Sequence, residues 1–289
     1  MTDQLRKILT VGLAVVFVAS TALFAVRSFH SAEAAASYRE AEAIAAQPRE
    51  TEQEHTQPAP TEPEPTEPAP TEPPVEWVVA PVEEDEHMQK LKEINLDALR
   101  EKNPDVVGWI YAPNCRINYP IVQGEDNQYY LKHTWDNRKR VSGSIFMEST
   151  NSPDFSDFRT ILYGHNMADD SMFGVLARYE SKVSLSRYPY VYLVTDEGVL
   201  RYEIYSSYKA NVESNTYALD LEDEAQRAAF IRLTKEEAVF DTGITPAVTD
   251  RILTLSTCAG SETTRRVVHA RLPMIQKEVK TDSPQVNLQ

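Results

Sequence analysis

Basic residues are scarce in this chain: 29 lysines and arginines stand against 44 aspartates and glutamates, and the net charge is -15. A surface that binds nucleic acid needs an excess of positive charge to neutralise phosphates, so this balance argues against that class of function. The length of 289 residues leaves room for two domains. The composition of the first quarter of the chain excludes it from a globular core. The remaining residues have the length of one ordinary domain.

Cysteine is limited to two residues, Cys115 and Cys258. Two cysteines in an exported chain can form a disulfide, but a domain of this size is stable without one. We therefore expect Cys115 to be a buried bystander. No spacing of histidine and cysteine matches a zinc site, so the sequence predicts no metal and no other cofactor. The acidic clusters at 169–170 and 222–224 are interpreted as solvated loops rather than weak calcium sites.

One long hydrophobic run is present, Ile8 to Val26, and Arg6 and Lys7 precede it. As a helix this run is about 28 Å long, which is enough to cross the hydrocarbon core of a bilayer. It is also longer than the core of a cleavable signal peptide. We predict a membrane anchor at residues 1–30, with a cleaved signal as the alternative because residues 32–36 are similar to a small-residue cleavage site. Both interpretations export the rest of the chain.

Proline, glutamate and threonine dominate residues 47–74, with a near-repeat that begins at Thr61. Such a composition has little apolar surface to bury, and its prolines and like charges favour extended conformations. We predict a disordered, semi-rigid stalk at residues 31–82. A proline-rich ligand for a partner domain is the alternative. Residues 83–289 are then the one folded domain.

Within the folded domain, hydrophobic periodicity predicts one helix followed mainly by strands. Apolar residues at helical spacing predict a helix from Glu83 to Lys102, which Asn103-Pro104 would end. Alternating patterns and turn residues predict strands at Val106–Tyr111, Asn118–Gln123, Tyr190–Thr195 and Val199–Tyr208. The period returns to helical between Leu219 and Phe240, which predicts one or two helices inserted among the strands.

The candidate functional residues lie around two predicted strand ends. Ile252 to Leu272 is an apolar β-type run that ends at Cys258, a short polar loop, and a second β-type run that Arg265 and Arg266 enter. Another apolar run ends at Gly164 and is followed by His165. Histidine is the residue type that a catalytic thiol needs beside it to share its proton. A lone cysteine is weak evidence, since free cysteines are usually small buried hydrophobes. The two halves together favour a cysteine nucleophile.

Five sequence blocks carry a resemblance to a known family. They are Thr254-Leu255-Ser256-Thr257-Cys258, Tyr163-Gly164-His165-Asn166-Met167, Asn103–Ile110, Tyr119–Gln123 and Ser171–Phe173. The first resembles the TLxTC signature of sortases and the second their histidine motif, and together the blocks look like the class B branch. The resemblance covers the chain from Met88 to the C-terminal region. It implies a mainly β fold, a closed eight-stranded β-barrel with an N-terminal helix and a helical insertion before the cysteine strand.

The resemblance implies a cysteine transpeptidase on the outer face of a Gram-positive cell. Cys258 would attack the carbonyl of a threonine in a sorting signal, form a thioacyl enzyme and release the C-terminal piece. An amine of the cell-wall precursor or of a pilin would then resolve the thioester. His165 is the expected acid and base, and an arginine is the expected stabiliser of the thiolate and the oxyanion.

The identity of that arginine depends on strand register. Alternation along a strand allows only one of Arg265 and Arg266 to point towards the thiol. The family pattern selects Arg265, and a shift of one residue would select Arg266. Thr257 and Ser256 are candidates for substrate binding, and strand hydroxyls bonded to the backbone are the alternative interpretation.

Two other functions are weighed against the transpeptidase. A cysteine peptidase would use the same thiol and imidazole but pass the acyl group to water. In this chain the histidine precedes the cysteine, which is unlike the order in papain-type enzymes. The Q-A-C-x-G element of caspases is absent. A non-catalytic adhesin or scaffold on a stalk would need neither residue. An added amine acceptor separates the peptidase from the transpeptidase, and a trapped thioacyl adduct separates both from the adhesin.

Overall fold

The fold is built on a closed barrel of eight β-strands. A computed structural model describes residues 32–48, 76–113, 115–218, 221–258 and 263–277. The strands are β1 (Trp77–Val79), β2 (Val106–Ala112), β3 (Ile117–Val122), β4 (Ile145–Met147), β5 (Arg159–Tyr163), β6 (Tyr190–Thr195), β7 (Gly198–Asn211), β8 (Arg251–Cys258), β9 (Thr264–Leu272) and β10 (Met274–Gln276). The barrel order is β2-β3-β4-β5-β8-β9-β7-β6, and β6 closes it by pairing with β2. The predicted eight-stranded, mainly β fold is confirmed.

Parallel and antiparallel pairs are mixed in this barrel. β3 pairs with β4 in parallel, and so does β5 with β8, whereas the other neighbours are antiparallel. A parallel pair requires a long crossover, and the chain between β5 and β8 contains the β6–β7 hairpin and a helical segment. The C-terminal ends of β5 and β8 therefore lie side by side at one end of the barrel.

The predicted hairpin is present as β6 and β7. Thr195 pairs with Gly198, which leaves Asp196 and Glu197 as the turn. Gly198 has a φ of +116°, a conformation that residues with a side chain rarely adopt. The second arm extends further than predicted, to Asn211.

Five α-helices lie in the described ranges. They are α1 (residues 32–45), α2 (Glu86–Leu91), α3 (Leu96–Arg100), α4 (Lys182–Arg187) and α5 (Glu224–Glu236), and short 3-10 helices occur at Tyr129–Leu131, Gly174–Glu180 and Asn215–Tyr217. The single helix predicted at residues 83–102 is wrong. The side chain of Asn95 accepts a hydrogen bond from the backbone of Ala98 and starts a second helix there.

The helical insertion before the cysteine strand is a single helix, α5. Asp223 and Gln226 form a capping box at its start, in which each side chain bonds the backbone of the other residue. Phe230 and Ile231 are buried on its inner face. The described part of the predicted region, residues 221–240, therefore contains one helix and the start of an irregular connection to β8.

Both ends of the predicted stalk at residues 31–82 form regular structure. Helix α1 buries Tyr38, Ala41 and Ala45 in the main core cluster, and the Tyr38 hydroxyl donates to the carbonyl of Gly143. Strand β1 pairs with β10 near the other end of the domain's chain. The structure differs from the stalk prediction there because residues 32–45 carry an apolar helical face that has surface to bury.

The predicted membrane anchor, residues 1–30, lies outside the described residues, as does the stretch 49–75. Within the described part of the chain, no helix combines the length and the hydropathy needed to cross a bilayer. The anchor thus stays a prediction from the sequence.

Candidate active site

The parallel pairing of β5 with β8 sets the positions of the predicted nucleophile and base. The last paired residues of the two strands are Tyr163 and Ser256, and the Gly164 N–H donates to the Ser256 carbonyl at 3.2 Å. His165 follows Tyr163 by two residues, and Cys258 follows Ser256 by two residues. The two residues therefore occupy equivalent positions at neighbouring strand ends.

The antiparallel pairing of β8 with β9 determines which arginine is opposite the cysteine. Cys258 pairs with Arg265, and Thr257 pairs with Arg266. Directly paired residues of an antiparallel ladder share a face of the sheet. Positions 258 and 265 thus lie on one face. The side chain of Cys258 and the connecting residues 259–262 lie outside what the structure describes.

A cavity of about 200 Å³ opens at these strand ends. Its walls come from β4, β5, β8, β9 and the segment before β4, with lining residues Asn127, Leu131, Phe146, Tyr163, Gly164, His165, Ser256, Thr257 and Arg265. Four predicted site residues are thereby brought together: His165, Ser256, Thr257 and Arg265.

The imidazole of His165 is held by a backbone carbonyl. Its Nε2 lies 2.7 Å from the carbonyl oxygen of Leu131. Because a carbonyl oxygen only accepts hydrogen bonds, Nε2 carries the hydrogen, and Nδ1 is the acceptor nitrogen of the neutral ring. The backbone of His165 is fixed as well, since its carbonyl accepts from the Phe173 N–H at 3.0 Å.

The glycine before His165 is required by close packing. A Cβ added to Gly164 would lie 2.5 Å from Cδ1 of Ile145 and 2.8 Å from a ring carbon of Phe173. Both neighbours are buried, so neither side chain moves aside easily. Only a glycine allows the backbone to pass between these two side chains. This path of the backbone places His165 at the cavity.

The two consecutive arginines have different surroundings. Arg265 lines the cavity, and one of its Nη1 hydrogens goes to the carbonyl of Thr264 at 3.2 Å. Arg266 instead donates from Nε to Glu180 at 2.6 Å, and its side chain is only 12% exposed. Glu180 ends the 3-10 helix that follows the His165 loop. Arg266 therefore ties β9 to that helix, away from the cavity.

The two predicted hydroxyl residues also differ. Ser256 Oγ lies 2.7 Å from the hydroxyl of Tyr217, a residue of the 3-10 helix in the β7–β8 connection. Thr257 Oγ1 is buried and has no hydrogen-bond partner among the residues that the structure describes. Ser256 is thus engaged within the protein, whereas Thr257 also lines the cavity but pairs with Arg266, on the strand face opposite to Ser256.

Sequence reasoning missed one buried carboxylate next to the cavity. Glu148 follows β4 directly, is 6% exposed, and accepts hydrogen bonds from Asn127 and from the Tyr163 hydroxyl. Strand β4 has three residues, which is too short for alternation to reveal it. The available signal was the acid that ends the apolar run Ile145-Phe146-Met147.

The remaining cysteine and the fully buried histidine have structural roles. Cys115 is free and buried, so it does not pair with Cys258, and burial raises the pKa of its thiol. His269 is completely buried between the Thr254 hydroxyl at 3.0 Å and the Tyr208 hydroxyl at 3.2 Å. Burial lowers the pKa of His269 to about 3, so the ring is neutral in the folded protein.

Comparisons with known proteins agree on one family. A model of the sortase domain matches residues 110–273. Sortase B of Staphylococcus aureus is 35% identical over 174 residues, which cover 60% of this chain and 71% of that protein. Sortase B of Listeria monocytogenes is 36% identical over 163 residues, which cover 55% of this chain and 65% of that protein.

Solved structures give the same result at the level of the fold. The S. aureus sortase B–substrate complex superposes with a TM-score of 0.58 at 34% identity, over 63% of this chain and 85% of that one. Sortase B of Clostridium perfringens gives a TM-score of 0.58 at 31% identity, over 63% of this chain and all of that one.

The chain belongs to the sortase family, since the family model spans more than half of it. Its similarity to sortase B sequences and structures confirms the class B resemblance that the motifs carry. Sortases are cysteine transpeptidases of the cell surface, and this general activity and location apply to the chain.

Proposed function

We propose that this protein is a membrane-anchored, class B-type sortase that cuts a sorting signal after threonine and joins the cut protein to an amine. The supporting observation is the register of β5 and β8, in which His165 and Cys258 follow the Tyr163–Ser256 pair by the same two residues. Arg265 is opposite Cys258 on β9. A thiol, a base and a cation at one barrel end form the set that acyl transfer through a thioester requires.

In the first half of the reaction, the Cys258 thiol passes its proton to Nδ1 of His165, and the resulting thiolate attacks the carbonyl carbon of the threonine. The carbon–sulfur bond forms while an electron pair moves onto the carbonyl oxygen. When that oxyanion collapses, the carbon–nitrogen bond breaks, and His165 gives its proton to the departing amine. The products are a thioester on Cys258 and a released C-terminal peptide.

In the second half, an amine replaces the released peptide. His165 takes a proton from the amine as it attacks the thioester carbon, and the thiolate of Cys258 leaves. The nitrogen of His165 that exchanges these protons is Nδ1, because Nε2 is committed to the carbonyl of Leu131. The enzyme returns to its starting state with an amide-linked surface protein as product.

Arg265 would stabilise the charge that develops during both halves. Its guanidinium keeps its positive charge at every pH at which the enzyme works. One well-placed donor to an oxyanion typically contributes about 3 to 4 kcal/mol to transition-state stabilisation. The ion pair of Arg266 with Glu180 supports assigning this role to Arg265 alone.

The substrate side of the proposal concerns the cavity walls. Thr257 lines the cavity and would help to position the bound peptide or the oxyanion. Ser256 would line the pocket while Tyr217 holds its hydroxyl. The partners are surface proteins or pilins that carry a sorting signal, together with an amine of the cell-wall precursor or of a pilin.

The location follows from the N-terminal sequence. The uncharged run from Ile8 to Val26 is long enough for a single membrane crossing, and the large polar part of the chain would lie outside the cell. The catalytic domain is then extracellular, where wall precursors and surface proteins meet.

The proposal is tested by mass spectrometry of the full chain after incubation with a library of candidate sorting peptides. We expect a peptide mass on Cys258, and a new amide product when an amine acceptor is added. Cys258→Ala and His165→Ala are expected to abolish turnover, because each removes one partner of the acyl transfer. Cys115→Ala is the matched control and should leave adduct and product unchanged.

Two outcomes would contradict the proposal. If water is the only acceptor in the presence of amines, the protein is a cysteine peptidase. If no peptide of the library forms an adduct and Cys258→Ala leaves every measured activity intact, the non-catalytic adhesin is the better description.

A further inference from the structure

Glu148 is a buried carboxylate beside the candidate active site. It directly follows β4, is 6% exposed, and its backbone N–H donates to the Ile161 carbonyl of β5 at 2.9 Å. A buried carboxylate is costly unless hydrogen bonds replace its lost hydration. Here the two oxygens accept from two different segments of the chain, and each of these segments leads to His165.

The first segment runs from Asn127 to Leu131. Asn127 donates from Nδ2 to Glu148 Oε1 at 2.6 Å, and its Oδ1 accepts from the backbone N–H of Ser149 at 2.9 Å. Both ends of the amide are therefore fixed. Four residues further on, at the end of the short 3-10 helix, the carbonyl of Leu131 accepts the Nε2 hydrogen of His165.

The second segment is the end of β5. The Tyr163 hydroxyl donates to Glu148 Oε2 at 2.9 Å, and Tyr163 is two residues before His165. Burial, together with the negative charge of Glu148, raises the pKa of Tyr163 far above its usual value. The phenol therefore keeps its proton and is the donor in this bond.

We propose that Glu148 is a positioning residue for His165, because its carboxylate joins the strand end that carries the imidazole to the segment whose carbonyl orients it. This inference rests on the proposed role of His165 as acid and base. Glu148 does not touch the reacting atoms. Its contribution is to hold the end of β5 and the Asn127–Leu131 segment together, so that the Leu131 carbonyl keeps its bond to Nε2 of His165.

The chemistry of the side chain predicts which substitutions are tolerated. The Glu148 carboxylate accepts from Asn127 Nδ2 at Oε1 and from the Tyr163 hydroxyl at Oε2, and Ser149 and Thr150 make longer contacts with Oε1. Glutamine retains one acceptor for Asn127, and its amide N–H can contact the Tyr163 oxygen, so Glu148→Gln keeps a polar contact with both segments although the Tyr163 O–H loses its acceptor. Glu148→Leu has similar size but leaves both donors without their partner.

The first measurement uses no substrate. The rate of alkylation of Cys258 by iodoacetamide is followed against pH in a Cys115→Ala background, with His165→Ala as reference. If Glu148 positions the imidazole, the profile of Glu148→Leu moves from that of the parent towards that of His165→Ala. Glu148→Gln should remain close to the parent.

The second measurement uses a peptide that the parent enzyme is known to process. Since a displacement of about 1 Å in a catalytic group costs on the order of 100-fold in rate, we expect Glu148→Leu to lower kcat/KM by roughly 10- to 100-fold. On a logarithmic scale, the loss of kcat/KM in Glu148→Gln should be less than about a third of the loss in Glu148→Leu.

A matched control separates positioning from general destabilisation. Asp250 is another buried carboxylate, 3% exposed, that accepts from the N–H groups of Ala247 and Met274. It precedes β8 at the end opposite Cys258. Asp250→Leu should lower the unfolding temperature as Glu148→Leu does, but leave the alkylation profile unchanged, with all rates measured well below both transitions.

The outcomes are distinct from those that test the sortase reaction. An alkylation profile of Glu148→Leu that overlays the parent, or an equal change in Asp250→Leu, overturns the positioning role even if transpeptidation is observed. Failure to find any transpeptidation would remove the proposed function, and the alkylation profiles would still report whether Glu148 acts on the Cys258–His165 pair.

Discussion

At the scale of single residues, the two neighbouring arginines show how register assigns chemistry. Arg265 and Arg266 are adjacent in sequence, yet one lines the cavity and the other pairs with Glu180. Side chains on a strand alternate between faces, so adjacent positions cannot share a role. The family pattern selected Arg265 from the sequence, and the pairing of residue 258 with residue 265 supports that selection.

We predict that Arg265→Ala lowers kcat/KM by about 100- to 1000-fold, the usual effect of removing one oxyanion donor. Arg266→Ala breaks the largely buried ion pair with Glu180, so it should lower the unfolding temperature but change kcat/KM by less than about threefold at temperatures well below unfolding. Steady-state kinetics with one peptide compares the two variants. Similar rates for both would mean that the register assigned to the catalytic arginine is wrong.

The buried histidine of the core predicts a dependence of stability on pH. The pKa of His269 is lowered to about 3, whereas an unfolded histidine titrates near 6.5. Between these values the unfolded chain binds a proton that the folded chain does not, so stability falls as the pH drops from 6.5. Arg159, whose charge also disfavours the protonated ring, acts in the same direction.

We expect His269→Gln to reduce this dependence, since an amide does not titrate but can still bond Thr254 and Tyr208. From pH 7 to pH 5 the wild-type protein should lose roughly 2 kcal/mol more unfolding free energy than the variant. Urea unfolding at the two pH values measures the difference. Equal losses in both proteins would show that His269 is protonated in the folded state or solvated.

At the scale of elements, local motifs were easier to predict from the sequence than the pairing of strands. Cys258 and His165 stand in short motifs at strand ends, which the sequence displays directly. Glu148 and the carbonyl of Leu131 act on His165 only after β5 has paired with β4 and β8, and such contacts between distant segments leave no local pattern. The three-residue strands β1, β4 and β10 were also too short to show alternation.

Helix α1 is the element whose packing can be tested most directly. Ala41 is fully buried on the side of α1 that faces the barrel, and Ala43, two residues later, is exposed. We predict that Ala41→Glu releases α1, since a glutamate cannot fit there uncharged or unpaired, and lowers the unfolding free energy by about 1 to 3 kcal/mol. Ala43→Glu is the matched control and should have little effect.

Calorimetry and limited proteolysis measure this prediction together. Release of α1 should lower the unfolding temperature of Ala41→Glu and expose residues 32–48 to cleavage while the barrel stays intact. Indistinguishable behaviour of the two glutamate variants would show that the contacts of α1 with the barrel contribute nothing measurable.

At the scale of the whole molecule, the docking of α1 means that residues 49–75 connect two parts of the same domain rather than a membrane anchor and a domain. The chain leaves the domain after α1 and re-enters it at β1, which pairs with β10. The predicted stalk would set the distance between the membrane and the barrel only if its first end were separate from the domain. With both ends attached, its length does not enter that distance.

We predict that duplicating residues 61–70 leaves the height of the domain above a bilayer unchanged. Energy transfer between labelled lipids and a dye at Val183→Cys, in a Cys115→Ala and Cys258→Ala background, measures this height in vesicles; Val183 is 62% exposed. The same duplication in an Ala41→Glu protein should lower the transfer, because released α1 lets the added residues extend. A decrease with α1 intact would contradict the prediction.

The attachment of α1 also restricts the geometry of encounter. Five residues separate Val26, at the end of the proposed membrane-spanning run, from the first described residue of α1. With the proposed anchor in the bilayer, a connection that short would hold the domain close to the lipid headgroups. Sorting signals that are still close to their own membrane attachment would be the ones within reach.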